Sequence, residues 1–411
     1  MIALIIALLT AILALLIPSR SPYARVWRPS FLLSAFSVTG LVVTWSFFGF
    51  DTLSPSAPAL YALGTFSFFL GDAVISIMMK GDGERLPLAQ AGITGLVRAE
   101  VMIYIYAALS LVGTVLILYV FRERSGMFTI FETGVALRYA ESTQTTTYGA
   151  HHFLLFAGAL GSLLVVNAKP RMRLFGYALF GVSVFSSFVS VTRTGLFFSL
   201  GALAFLMYAR TGKLRSIAWP VIGIAVLTFA YALFADKSEA TTGESFFVWY
   251  AGYAIYAFSY YILPLGQWDW GLNSLGVIGS LMQGGINPAD LSLLGTQYNV
   301  YTFIGAPYRD FGVPGVMLMP FLFGAIWSIV WNRTGKKPFY LFMYAWMTFP
   351  CIIPFFDWKF NLTTYLYLIP IYLVLLNPRL QGIVPGLQPA IGKPDGPPTA
   401  GAPFAMRGSA P

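Results

Sequence analysis

Runs of about 17–22 apolar residues recur along this whole chain, each closed by a short polar segment, and that recurrence fixes the class of fold. Such a run can satisfy its backbone in lipid only as a helix. A transmembrane β-barrel would show alternating segments of about ten residues, and these runs do not alternate. Only 10% of the 411 residues are charged, against about 25% in soluble domains. The sequence therefore predicts an all-α polytopic membrane protein built as one integrated domain over residues 1–380.

Expected spans lie at 1–18, 30–50, 59–79, 100–121, 151–167, 174–191, 195–209, 217–235, 313–331, 338–356 and 361–377. That makes about eleven, with up to thirteen open. The first run has no basic residues before it and no small-residue cleavage site after it, so it reads as a retained span rather than a signal peptide. With these spans, 18 of the 25 Lys and Arg residues fall on one side in short loops. The positive-inside rule makes that side cytoplasmic and puts the N-terminus outside. Residues 236–312 form a large outer loop, whose stretches 246–265 and 272–283 are expected to be re-entrant or surface-lying helices. Residues 381–411, rich in Pro, Gly and Ala, are expected to be a disordered cytoplasmic tail.

Composition narrows the function. Cys351 is the only cysteine, which rules out an intramolecular disulfide and a cysteine metal site. The two histidines, His151 and His152, are adjacent, and no HExxH occurs, so no metal site and no cofactor are expected. The net charge of +9 follows membrane orientation and gives no reason to expect a nucleic-acid partner.

Seven basic residues remain on the outer side: Arg122, Arg124, Arg138, Arg193, Lys237, Arg309 and Lys359. Arg193 sits at a hairpin tip between two expected spans, and a guanidinium fork suits phosphate oxygens. It would equally snorkel to the interface or cap helix carbonyls. Arg309 and Asp310 lie in Asn299–Gly315, NVYTFIGAPYRDFGVPG, just before a span. Asp310 is read as an N-cap of that span neutralised by Arg309, or as an acid beside an anion-binding cation. Tyr301 and Tyr308 are sugar-stacking or interfacial-belt residues. Arg138 and Glu141 are a helix-face ion pair or an anion site beside an acid. His151, at an outer helix mouth, is a base candidate or an interface marker. Tyr250, Tyr253, Tyr256 and Tyr260 fall on one helical face, as a headgroup anchor or a carbohydrate wall. Asp72 and Glu100, in or beside spans, are what a secondary transporter would use.

The segments SVTRTGLFFSL at 190–200, NVYTFIGAPYRDFGVPG at 299–315 and FFDWKFNLTTYLYLIPIYLV near the end occur in an order that resembles bacterial oligosaccharide repeat-unit polymerases, the O-antigen polymerase (Wzy) family. LRYAESTQTTTYG at 137–149 is a weaker match, and the likeness covers about 130–377. The resemblance implies a GT-C-like membrane glycosyltransferase of the polymerase–ligase type on the periplasmic face of the inner membrane. Its substrates would be undecaprenyl-pyrophosphate-linked glycans in the lipid bilayer, with a flippase and a chain-length regulator as partners and no nucleotide sugar or metal. In that setting Arg193, Arg309 and Arg138 would bind the pyrophosphate, with Tyr301 and Tyr308 beside the sugars. Asp310, Glu141 or His151 would take the acceptor proton. An O-antigen ligase shares the topology and the donor and differs in its acceptor.

Overall fold

A computed structural model describes residues 2–17, 25–49, 52–79, 100–125, 150–166, 170–189, 193–219, 222–223, 226, 246–265, 269–271, 273–275, 302–335, 337–355, 358–360 and 363–376. The chain divides into two compact units, Met1–Leu376 and Asn377–Pro411, and the second lies outside the described residues. Among the described residues every regular element is helical.

The helices are α1 (Ile2–Leu16), α2 (Pro29–Phe48), α3 (Ser56–Met78), α4 (Glu100–Ser125), α5 (Ala150–Val165), α6 (Pro170–Val189), α7 (Arg193–Thr211), α8 (Phe246–Ala257), α9 (Gly305–Arg333), α10 (Pro338–Met347), α11 (Phe349–Ile352) and α12 (Thr363–Leu375). They fall on the apolar runs of the sequence. The expected span at 217–235 and the helix at 272–283 lie mostly outside the described residues. Among the described residues three helices, α2, α3 and α9, are long and apolar enough to cross a membrane.

Local chemistry explains where the helices begin and break. Pro29 and Pro338 occupy first-turn positions, where a missing N–H costs nothing. The run at 338–356, expected to be one span, is not one helix. It breaks between Met347 and Phe349, with Pro350 in the first turn of α11, and leaves helical geometry at Ile353. The largest break is in α9, where Gly312 has φ 65° and ψ −148°. A side chain there would be strained. Residues 305–311 form a short leading helix, and the long straight part starts at Val313, where the apolar run starts. A Cβ on Gly315 would run into the carbonyl oxygen of Pro307, so the leading helix folds back closely on the straight part.

The best-packed pair is α3 with α9. A Cβ on Gly71 would strike the carbonyl oxygen of Phe321, and one on Gly324 would strike that of Phe68. Small residues at such crossings let two backbones approach where lipid offers no hydrophobic drive. Around this pair lies an aromatic core. Trp331 packs at a tilt against Tyr344 (4.8 Å between ring centres), and Phe205 meets Tyr344 edge-on (5.2 Å). The buried ring N–H groups of Trp327 and Trp346 donate to the Met347 carbonyl (2.6 Å) and the Tyr372 hydroxyl (2.7 Å).

α8 lies along α2, where the Thr44 hydroxyl donates to the Gly252 carbonyl (3.0 Å). It then loosens into a π turn at Phe258–Ile262 and a 3-10 turn at Leu263–Leu265.

Candidate functional site

Two polar clusters mark opposite ends of the straight part of α9. From Val313 to Asn332 that part rises about 30 Å at 1.5 Å per residue, the thickness of a bilayer's hydrocarbon core.

The first cluster surrounds the Gly312 kink. Asp310 is fully buried. Its carboxylate accepts four hydrogen bonds. Asn273 gives its backbone N–H (3.1 Å) and side-chain amide (2.9 Å) to one oxygen. Ser274 gives its N–H (2.6 Å) and its hydroxyl to the other. The backbone follows the same docking, with the Asp269 and Trp270 N–H groups donating to the carbonyls of Arg309 (3.1 Å) and Asp310 (3.2 Å). Asp310 therefore does not cap the span that follows it. It caps the turn at 273–275, on a loop segment about forty residues earlier, because the kink aims its side chain away from Val313.

Arg309 also departs from the sequence expectation. Its Nε pairs with Asp269 and not with its neighbour Asp310. Adjacent residues on a helix point about 100° apart, so one cannot readily neutralise the other. Arg309 and Asp269 are 13% and 15% exposed, so the pair lies at a boundary, neither sealed nor free. Asp269 also accepts from the Asn273 amide (2.9 Å), which thus bridges both carboxylates. Asp269 escaped attention in the sequence. It is the only charged residue between Glu244 and Asp290, and that isolation was the available signal.

Among the described residues, the two non-glycine residues with positive φ both flank this cluster: Trp270 (φ 47°) and Thr302 (φ 67°). Residues held in such conformations cost on the order of 1–3 kcal/mol each and persist only where surrounding contacts impose them. Thr302 is buried, and its hydroxyl has no hydrogen-bond partner among the described residues. Just beyond it, the Phe303 N–H donates to the Pro354 carbonyl (2.8 Å). Trp358, from the same connection, donates its ring N–H to the Ser274 carbonyl (2.9 Å). Three distant chain segments thus meet at the kink.

The tyrosines face inward more than expected. Tyr308 sits edge-on to Phe258 (5.5 Å), and its hydroxyl reaches the Leu263 carbonyl (3.5 Å). It fastens the leading helix of α9 to the π turn. Tyr253 and Tyr256 pack on Phe48 (6.1 and 5.6 Å), which docks α8 on α2. Tyr260 is half exposed, stacks on Tyr256 (4.4 Å) and donates to the Thr52 carbonyl (2.7 Å).

Arg138, Glu141 and Tyr301 lie outside the described residues. His151 falls in the first turn of α5 and Arg193 opens α7, with neither side chain among those described. Glu100 is the first residue of α4, where an acid suits the helix dipole. Among the described residues no three His, Cys, Asp or Glu side chains gather as a metal site would need.

The second cluster is at the Asn332 end. Arg28 and Asp72 are both fully buried and joined through Arg28 Nε (3.1 Å). Arg28 also donates to the Ser76 hydroxyl (2.5 Å), and Ser30 donates to Asp72. Ser76 bonds to Asp72 (3.1 Å) and meets Ser328 (3.1 Å), while the Asn332 amide donates to Ser76 (3.2 Å) and to the Ser328 carbonyl (2.9 Å). Asp72, the acid a secondary transporter would use, is thus neutralised and sealed between α2, α3 and α9.

No protein-family model, no curated protein and no solved structure matches this chain.

Proposed function

We propose that the protein polymerises oligosaccharide repeat units carried on undecaprenyl pyrophosphate, as O-antigen (Wzy-type) polymerases do. In this reading it has about eleven spans and a GT-C-like polymerase–ligase architecture, and it works on the periplasmic face of the bacterial inner membrane. The observation that carries the reading is Arg309. It is a boundary guanidinium whose Nε is held by Asp269 while its two terminal nitrogens are engaged by no described residue. That is how a cation would be presented to a diphosphate arriving at membrane depth.

The reaction needs little acid catalysis. The acceptor hydroxyl attacks the anomeric carbon of the donor glycan. The bond from that carbon to the pyrophosphate oxygen breaks, and undecaprenyl pyrophosphate leaves with the electron pair. Arg309, with Arg193 and Arg138 from the other segments, stabilises the charge that builds on the leaving group. Charge-assisted hydrogen bonds are worth about 1.5–3 kcal/mol each, so two or three of them move the rate by orders of magnitude. Asp310, whose oxygens already accept four hydrogen bonds, serves to hold the cluster. The acceptor proton goes to Glu141 or His151. Tyr301 is assigned to stacking on the sugars, and Tyr308 braces the kink.

The test is a purified, chelator-treated reconstitution with cognate lipid-linked repeat units. Wild type makes a ladder of lengthening glycans, and Arg309→Ala, folded by size exclusion, makes none. A wild-type ladder from Arg309→Ala overturns the assignment of the arginine. No ladder from folded wild type overturns the polymerase reading.

A further inference from the structure

Trp270 stands out among the described residues as an exposed aromatic held in a left-handed backbone. It is 65% exposed at φ 47° and is followed by Gly271 at φ 92°. Its N–H is tied to the Asp310 carbonyl, and that of Asp269 to the Arg309 carbonyl, so the turn is fixed on the leading helix of α9. Phe311 and Leu275 crowd Gly271, so a Cβ there would come within 3.3 Å of one and 2.9 Å of the other. An indole that only anchors a protein in the headgroup layer needs no such fixing, because the interface accepts it in many orientations. A binding platform does need it, since a surface ordered in advance spends no affinity on ordering.

The groups beside Trp270 in the chain fix its place. The Asp269 carboxylate pairs with Arg309 and accepts from the Asn273 amide, so the exposed ring stands on the turn that holds the cation assigned to the pyrophosphate. A large flat ring covers the C–H face of a pyranose. We propose that Trp270 is the platform for the sugar ring next to the pyrophosphate. This rests on the polymerase reading and adds which segment holds the glycan. It also explains the strain, since the left-handed turn points a bulky ring outward from a backbone otherwise committed to Asp310.

The experiment uses full-length protein in vesicles and measures initial rates against the concentration of cognate lipid-linked unit. Wild type, Trp270→Ala and Trp270→Phe are compared, with Trp219→Ala as a control at another exposed tryptophan. Trp270→Ala is expected to raise KM about ten-fold while kcat changes little, the size of one aromatic contact. Trp270→Phe recovers most of the loss, and Trp219→Ala matches wild type. An unchanged KM in Trp270→Ala overturns the platform. If wild type makes no ladder, the polymerase reading fails separately, and the platform is then judged by binding. Repeat oligosaccharide, released by mild acid from the same cells, is titrated against tryptophan fluorescence. Saturable quenching in wild type that is lost in Trp270→Phe supports the platform. Equal response in both proteins overturns it, as does a difference seen only with brominated lipid, which marks a membrane anchor.

Discussion

The two polar clusters along α9 use the same pairing, arginine with aspartate, in opposite ways. Arg28 and Asp72 are wholly sealed, their ion pair and the Ser76–Ser328 and Ser76–Asn332 contacts link separate elements, and serine and asparagine fill in around the charges. Arg309 and Asp269 are partly open, the second acid is saturated by a loop, and the backbone nearby is strained. One arrangement holds helices together. The other holds a cation still at a boundary. Burying an ion pair is costly, and its removal in halves is costlier, whereas a partly solvated pair contributes little to stability and remains available to a ligand.

Substitutions can break this contrast, and the largest effect is expected at the sealed pair. Asp72→Ala leaves Arg28 charged and alone, costing about 3–5 kcal/mol, read as a collapse of the monodisperse peak in detergent. The double change Arg28→Met with Asp72→Leu should restore most of that peak; if it does no better than Asp72→Ala, the pair is not the reason. Next comes the helix crossing beside it. Gly71→Val pushes a side chain into the Phe321 carbonyl and should cost at least 1–3 kcal/mol by thermal unfolding. At the kink, Asp310→Ala strands the N–H groups of Asn273 and Ser274, about 1–3 kcal/mol felt locally. Faster proteolysis or hydrogen exchange confined to 269–275 would show it. Arg309→Lys should be the mildest for stability, within about 1 kcal/mol, yet abolish most glycan transfer because the fork is lost. An Arg309→Lys protein that transfers normally would erase the distinction between the two ends.

Much of the helix plan was legible because lipid forces a readable pattern: long apolar runs, broken by glycine and proline. Even the start of the long part of α9 at Val313 followed from its apolar run. The sites were less legible, for a physical reason. Asp72 looked like an isolated membrane acid because its partner is 44 residues away, in a basic segment that orientation alone seemed to explain. Arg309 looked paired with Asp310 because they are neighbours, while its true partner is 40 residues away. Sequence proximity misleads for charges, which pair across the fold. The strain at Trp270 and Thr302 had no sequence mark at all, since neither residue type favours positive φ.

The sealed cluster also has a consequence for the order of synthesis. Arg28 and Asp72 emerge early, on consecutive helices, but Ser328 and Asn332 arrive some 250 residues later. Until then the nascent chain must keep a charged pair in the bilayer with one flank unsealed, and α9 is the segment that closes it. Truncations that stop before α9 should therefore be cleared by membrane proteases even though every earlier helix has been made.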